Sequence, residues 1–115
     1  MNSDRVPIAF NAQPWEDIAS GARGKVINRD TACYRLLELT PQFAEEGWCI
    51  RGHRGLVLEG SVEISLCDGA AALHAGDGIY LEPGESFAHR ARALSPRALL
   101  FLVEDPPPRG SPVSD

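Results

Sequence analysis

Polar and apolar positions alternate along short stretches of the chain. In VEISL (62–66), Val62, Ile64 and Leu66 fall on one side and Glu63 and Ser65 on the other. That is the pattern of a strand, because successive side chains point to opposite faces. SFAHRARA (86–93) repeats it, with Phe87, His89, Ala91 and Ala93 on one face and Arg90 and Arg92 on the other. Two arginines at that spacing are expected in solvent, which turns His89 inward. RALLFLVE (97–104) is apolar on both faces, as a strand covered on both sides or lying at a subunit interface would be. CYRLLEL (33–39), GWCIRG (47–52), LVLEG (56–60) and GIYLEP (78–83) complete the strand candidates. Turn residues punctuate them at CDG (67–69), AGDG (75–78) and EPGE (82–85). Helical spacing is scarce. PWED (14–17) suits a helical turn, since proline with acids behind it fits a helix start, and SGARGK (20–25) reads as a loop. Regularly spaced short strands predict an all-β, antiparallel sandwich or barrel.

Composition narrows the function classes. The chain has 115 residues, enough for one domain with a real core. The division expected is an N-terminal arm and strand over 1–32, a barrel over 33–104, and a flexible tail, DPPPRGSPVSD, over 105–115. The net charge of −5 and the scattered basic residues argue against nucleic acid, which needs a basic stripe. No apolar run approaches the ~18 residues of a membrane span. MNSDRVPIAF lacks the pattern of a signal peptide, so a cytoplasmic location is expected. Cys33, Cys49 and Cys67 are odd in number and widely spaced, which does not make a disulfide framework.

The candidate chemistry lies in EEGWCIRGHRGLVLEG (45–60), where Cys49 precedes His53 by four residues. If the run is extended, Gly47, Cys49, Arg51 and His53 share a side. With His89 from the second segment, a thiolate and two imidazoles suit Zn²⁺, Fe²⁺ or Ni²⁺ better than Mg²⁺ or Ca²⁺. Three protein ligands leave a position for water or substrate. Arg51 on the same side is placed to pair with an anionic ligand. Glu38, if it faces inward near His53, would have a raised pKa and serve as general base. A competing reading needs no metal: buried cysteines are commonly small hydrophobes, and buried histidines are commonly satisfied by hydrogen bonds. Ser65 and Ser86 lack a His and acid at triad spacing, and Gly76-Asp77-Gly78 lacks phosphate-loop spacing.

Two segments carry a family resemblance: GWCIRGHRGLVLEGSVEISL (47–66) and AGDGIYLEPGESFAHRARAL (75–94), the latter followed by the apolar strand at 98–103. Together they resemble a small single-domain cupin, a double-stranded β-helix or jelly-roll barrel. The likeness extends to small bacterial cupins with a Trp-Cys and Gly-His signature in the first motif. The usual four metal-ligand positions of the family fall here on Gly47, Cys49, His53 and Phe87. Two of these cannot bind metal, and His89 lies one strand period beyond Phe87. The resemblance implies a homodimer and a small molecule held in the barrel. It admits a metal-dependent enzyme of the dioxygenase, isomerase or decarboxylase kind, with Cys49, His53 and His89 as ligands. It equally admits a non-catalytic, metal-free binding or sensor module, in which Phe87 forms an apolar pocket floor. The fold alone names no substrate.

Overall fold

A computed structural model of the protein describes residues 5–105. The expected tail lies outside these residues except for Asp105. Nine strands lie among the described residues: β1 (Glu16–Ala19), β2 (Ala22–Asn28), β3 (Cys33–Leu39), β4 (His53–Glu59), β5 (Ser61–Leu66), β6 (Gly69–His74), β7 (Gly78–Leu81), β8 (Arg90–Ala93) and β9 (Ala98–Glu104). They form a six-stranded sheet in the order β1-β2-β3-β9-β4-β7 and a three-stranded sheet in the order β6-β5-β8. Every pairing is antiparallel. The two sheets enclose one core, and the architecture is the jelly-roll barrel that the family resemblance implies, within the all-β class that the alternation predicts. No helix among the described residues is long and apolar enough to cross a membrane.

The inner faces follow strand parity. Val57, Val62, Ile64, Leu100 and Leu102 are buried together with Leu39, Ile79 and Leu81. Leu39, Val57 and Val62 are fully enclosed. β9 is covered on both sides, as its sequence predicts. Ala98, Leu100 and Leu102 enter the core, while Phe101 on the outer face meets Phe10 edge-on and stacks on Tyr34 at 6.2 and 6.4 Å. Gly60 turns β4 into β5 with φ +73°, and a Cβ there would lie 2.1 Å from the Arg97 carbonyl oxygen, so the turn requires glycine.

Four local expectations are corrected. PWED does not open a helix: a 3-10 turn lies earlier, at Phe10–Ala12, and Glu16 starts β1. SGARGK is not a loop throughout, since Ala22 opens β2, with Ala22 paired to Leu39. Pairing partners supplied by β3 override the local turn composition there. Phe87 lies in a 3-10 turn, Glu85–Phe87, so the strand begins only at Arg90. Finally, GWCIRG is not a continuous strand. Only Cys49 joins a ladder, as an isolated bridge to His89. Beyond it the chain crosses between the sheets, with Gly52 packed tightly against Pro83 and Ile50 accepting a hydrogen bond from the Gly84 amide at 2.9 Å.

Candidate metal centre

That crossing builds the site. Cys49 is fixed to the small sheet by a reciprocal pair of backbone hydrogen bonds with His89, N to O at 2.8 and 2.9 Å. Four residues later His53 opens β4 in the large sheet. The donor atoms of Cys49, His53 and His89 all lie within 4.8 Å of one another. Cys49 Sγ is 3.7 Å from His53 Nε2. A tetrahedral ion with ordinary Zn–S and Zn–N bonds separates two such donors by about 3.6 Å. The imidazole rings of His53 and His89 stand nearly perpendicular, 77°, at 5.1 Å.

Each imidazole is oriented through its other nitrogen. His89 Nδ1 sits 2.9 Å from the Phe87 carbonyl oxygen. A carbonyl can only accept, so Nδ1 carries the proton and Nε2 keeps its lone pair. His53 Nδ1 lies 2.6 Å from Glu104 Oε2. That contact is short but poorly aligned for a hydrogen bond, and it acts mainly as an ion pair. Histidines that bind metals are regularly held this way, by a carbonyl or carboxylate behind the ring.

Glu104 was not singled out in the sequence, and it organises the site. Its side chain is 2% exposed and faces Arg35 at 3.4 Å and Arg51 at 3.0 Å as well as His53. Strand parity contained the signal: Ala98, Leu100, Leu102 and Glu104 share the inner face of β9. The same parity on β3 puts Arg35 inside with Leu37 and Leu39.

Burial, the thiol and the carboxylate set the charges. Hydrogen bonding with His53, and then with His89, holds the Cys49 thiol down to about 6 against the opposing effect of burial. Burial alone would lower His53, but Cys49 and Glu104 outweigh it and raise it to about 9. His89 is also raised, with the Cys49 thiolate and the Phe87 carbonyl overcoming burial. Burial would raise Glu104, yet His53, Arg35 and Arg51 keep it below the usual carboxylate range. Without an ion, Cys49 and His53 therefore form a thiolate–imidazolium pair at neutral pH. In metal-free Cys33→Ser/Cys67→Ser protein, alkylation of Cys49 by iodoacetamide is expected to rise with a midpoint near 6. A midpoint near 9.0, that of an ordinary thiol, contradicts the pair.

The three donors open onto a cavity of about 170 Å³. Leu37, Phe43, Ile64 and Leu100 contribute to its apolar wall, and Arg35, Arg51, Glu45 and Glu104 bring charge to it. Arg51 is thus on the cavity side, as expected. Two other expected ligand-binding residues are elsewhere. Glu38 is not in the cavity; it lies on the opposite face of β3, bound by Arg23 at 2.6 Å and by Arg97. Its carboxyl is lowered by Arg23 and then Arg97 against burial, the reverse of what a general base would need. Leucines occupy both faces of LLEL, so alternation could not choose the inner one. Phe87 does not line the cavity either. Its ring meets Tyr80 edge-on at 6.1 Å, and its contribution to the site is the carbonyl that orients His89. Arg90 is half-buried rather than free in solvent, with its guanidinium 4.5 Å from the Trp48 ring centre.

No protein-family model matches the chain. No curated protein matches it in sequence. Solved structures do resemble it. KdgF from a Halomonas species is 19% identical over 86% of this chain and 91% of its own, with a TM-score of 0.71. The cupin domain of Schizosaccharomyces pombe Cnp3 is 9% identical over 87% of this chain and 68% of its own, with a TM-score of 0.67. A cupin-2 domain protein from Shewanella frigidimarina is 18% identical over 72% of this chain and 79% of its own, with a TM-score of 0.58. The chain therefore has the cupin fold. At these identities the likeness extends to the fold and no further.

Proposed function

We propose that this is a small-molecule-binding cupin whose cavity is built on a divalent transition-metal centre held by Cys49, His53 and His89. One observation carries the reading. Both imidazoles are anchored through Nδ1, to the Phe87 carbonyl and the Glu104 carboxylate, and their donor atoms gather with Cys49 Sγ within 4.8 Å. A thiolate and two imidazoles select zinc, iron or nickel over magnesium and calcium. Three protein ligands would leave an ion room for one more ligand, and a bound ion would supply polarisation of an oxygen-bearing molecule. Catalysis of a dioxygenase, isomerase or decarboxylase kind and simple ligand sensing share this requirement. Turnover of the bound molecule distinguishes them.

The chain's own residues fix what the site does before any reaction. Cys49 and His89 are locked to each other through the backbone, so the ligand set is arranged in advance of binding. Arg35 and Arg51 hold Glu104, and Glu104 holds His53. Purified without an affinity tag, the protein is expected to contain one transition-metal ion per chain by elemental analysis. Cys49→Ala and His53→Ala are each expected to reduce that content well below stoichiometry. Metal-free protein whose thermal unfolding is indifferent to added zinc would instead favour a metal-free ligand-binding or sensor module. The Cys49 Sγ–His53 Nε2 contact at 3.7 Å, which a thiolate–imidazolium pair satisfies without an ion, is the observation that supports that second reading.

A further inference from the structure

We infer that the cavity takes a small monoanionic organic acid. Its acidic oxygens would face the Cys49–His53–His89 centre and Arg51, and its apolar body would fill the barrel. The choice of head group rests on the metal reading above; the choice of body rests on the cavity alone.

The body follows from size and lining. The cavity of about 170 Å³ is walled by Leu37, Leu39, Phe43, Ile64, Ile79 and Leu100, among others. An engineered cavity of ~150 Å³ with similar walls binds benzene. Sites for drug-sized ligands are larger, roughly 300–1,000 Å³. The occupant therefore has a body near the size of one benzene ring, and such a wall offers no hydrogen bonds to a sugar.

The head group follows from charge. Arg35 and Arg51 bring two positive charges to the cavity, and Glu45 and Glu104 bring two negative ones. Glu45 Oε1 is engaged by the Ala91 amide at 2.7 Å, and Glu104 by both arginines and His53. A divalent ion offset by one thiolate adds a single net positive charge. The site then holds one uncompensated charge in a half-open pocket with largely apolar walls, where an anion is favoured over a neutral molecule. Arg51 lines the same cavity, its Nη2 held 3.0 Å from Glu104 Oε1 on the Nδ1 side of the His53 ring. A carboxylate in the cavity would thus have both the ion and the Arg51 guanidinium on the surrounding wall.

Cobalt(II)-loaded protein tests the idea, because its visible spectrum reports ligation directly. The probes are benzoate, its neutral isostere benzamide, and acetate, which has the head without the body. Benzoate is expected to change the cobalt spectrum saturably, with benzamide and acetate each at least about tenfold weaker. Arg51→Gln, brought to the same cobalt content as wild type before titration, is expected to weaken benzoate by about tenfold per loaded site, with Arg51→Lys recovering part of the loss. Protein that loads cobalt but binds benzamide as well as benzoate overturns this inference and leaves the metal centre standing. So does loaded protein whose spectrum benzoate does not alter. Failure to take up cobalt overturns the metal reading, and the head-group assignment falls with it.

Discussion

Glu104→Gln is expected to lower the unfolding free energy by about 3 kcal/mol at neutral pH in metal-free protein. Removing one member of a buried ion pair usually costs about 3–5 kcal/mol, because the partner charge stays behind. Here Arg35, 12% exposed, and His53 would be stranded, while Arg51 is 38% exposed and reaches water, which places the effect at the lower end. The pH dependence has a definite sign. The folded-state pKa of Glu104 is depressed, so its stabilisation is present above the ordinary carboxylate range and is lost as pH falls through the depressed value. His53 is raised from 6.5 to about 9, so its share is fully present below 6.5 and disappears as pH rises through about 9. The difference between wild type and variant should therefore be greatest below 6.5 and above the carboxylate range, and vanish in strong acid. Urea unfolding across pH measures it. A difference that does not change with pH would mean Glu104 acts by packing alone. The same variant releases His53 Nδ1, and weaker metal retention against a chelator, by about 10–100-fold, is the expected companion effect.

Gly55→Ala is expected to destabilise the fold by more than about 3 kcal/mol, beyond the ~1–3 kcal/mol typical of overpacking among side chains. A Cβ at Gly55 would lie 1.8 Å from the Phe101 carbonyl oxygen and 2.8 Å from its carbon. Those atoms are backbone of β9 and cannot rotate aside. The strands would have to part where Gly55 pairs with Leu102. That pairing, with Arg54 opposite Val103, brings His53 at the start of β4 beside Glu104 at the end of β9. The substitution should therefore loosen the site as well as the sheet. Gly78→Ala is the control: its Cβ would meet nothing nearer than 3.7 Å, and the change should stay within about 0.5 kcal/mol. Equal thermal stability of the two variants would show that β4 and β9 are not held as closely as the structure places them.

The site could be read only in part from the chain. Cys49, His53 and His89 stood out because few residue types bind soft metals and because strand parity turned His89 inward. Glu104 sat at the end of an apolar strand before a proline-rich stretch, where a carboxylate normally meets solvent. Its importance comes from burial among Arg35, Arg51 and His53, three residues distant in sequence. Glu38 shows the converse. It is buried, but on the outer face, and the apolar residues on both sides of LLEL gave no local sign of which face that was. The route by which Cys49 reaches the centre was also hidden. An extended run would have set Cys49 and His53 on one strand, whereas the chain carries them onto two sheets. The bridge to His89 and the close packing of Gly52 on Pro83 enforce that crossing.

By itself the sequence determined the all-β class, the inner face of β5 and the inward turn of His89, because side-chain alternation and turn chemistry are local properties of a chain. Tertiary structure alone decided which carboxylate supports the site, which arginines hold it, and how large the cavity is. Those outcomes depend on which strands become neighbours and on what is removed from water when they do.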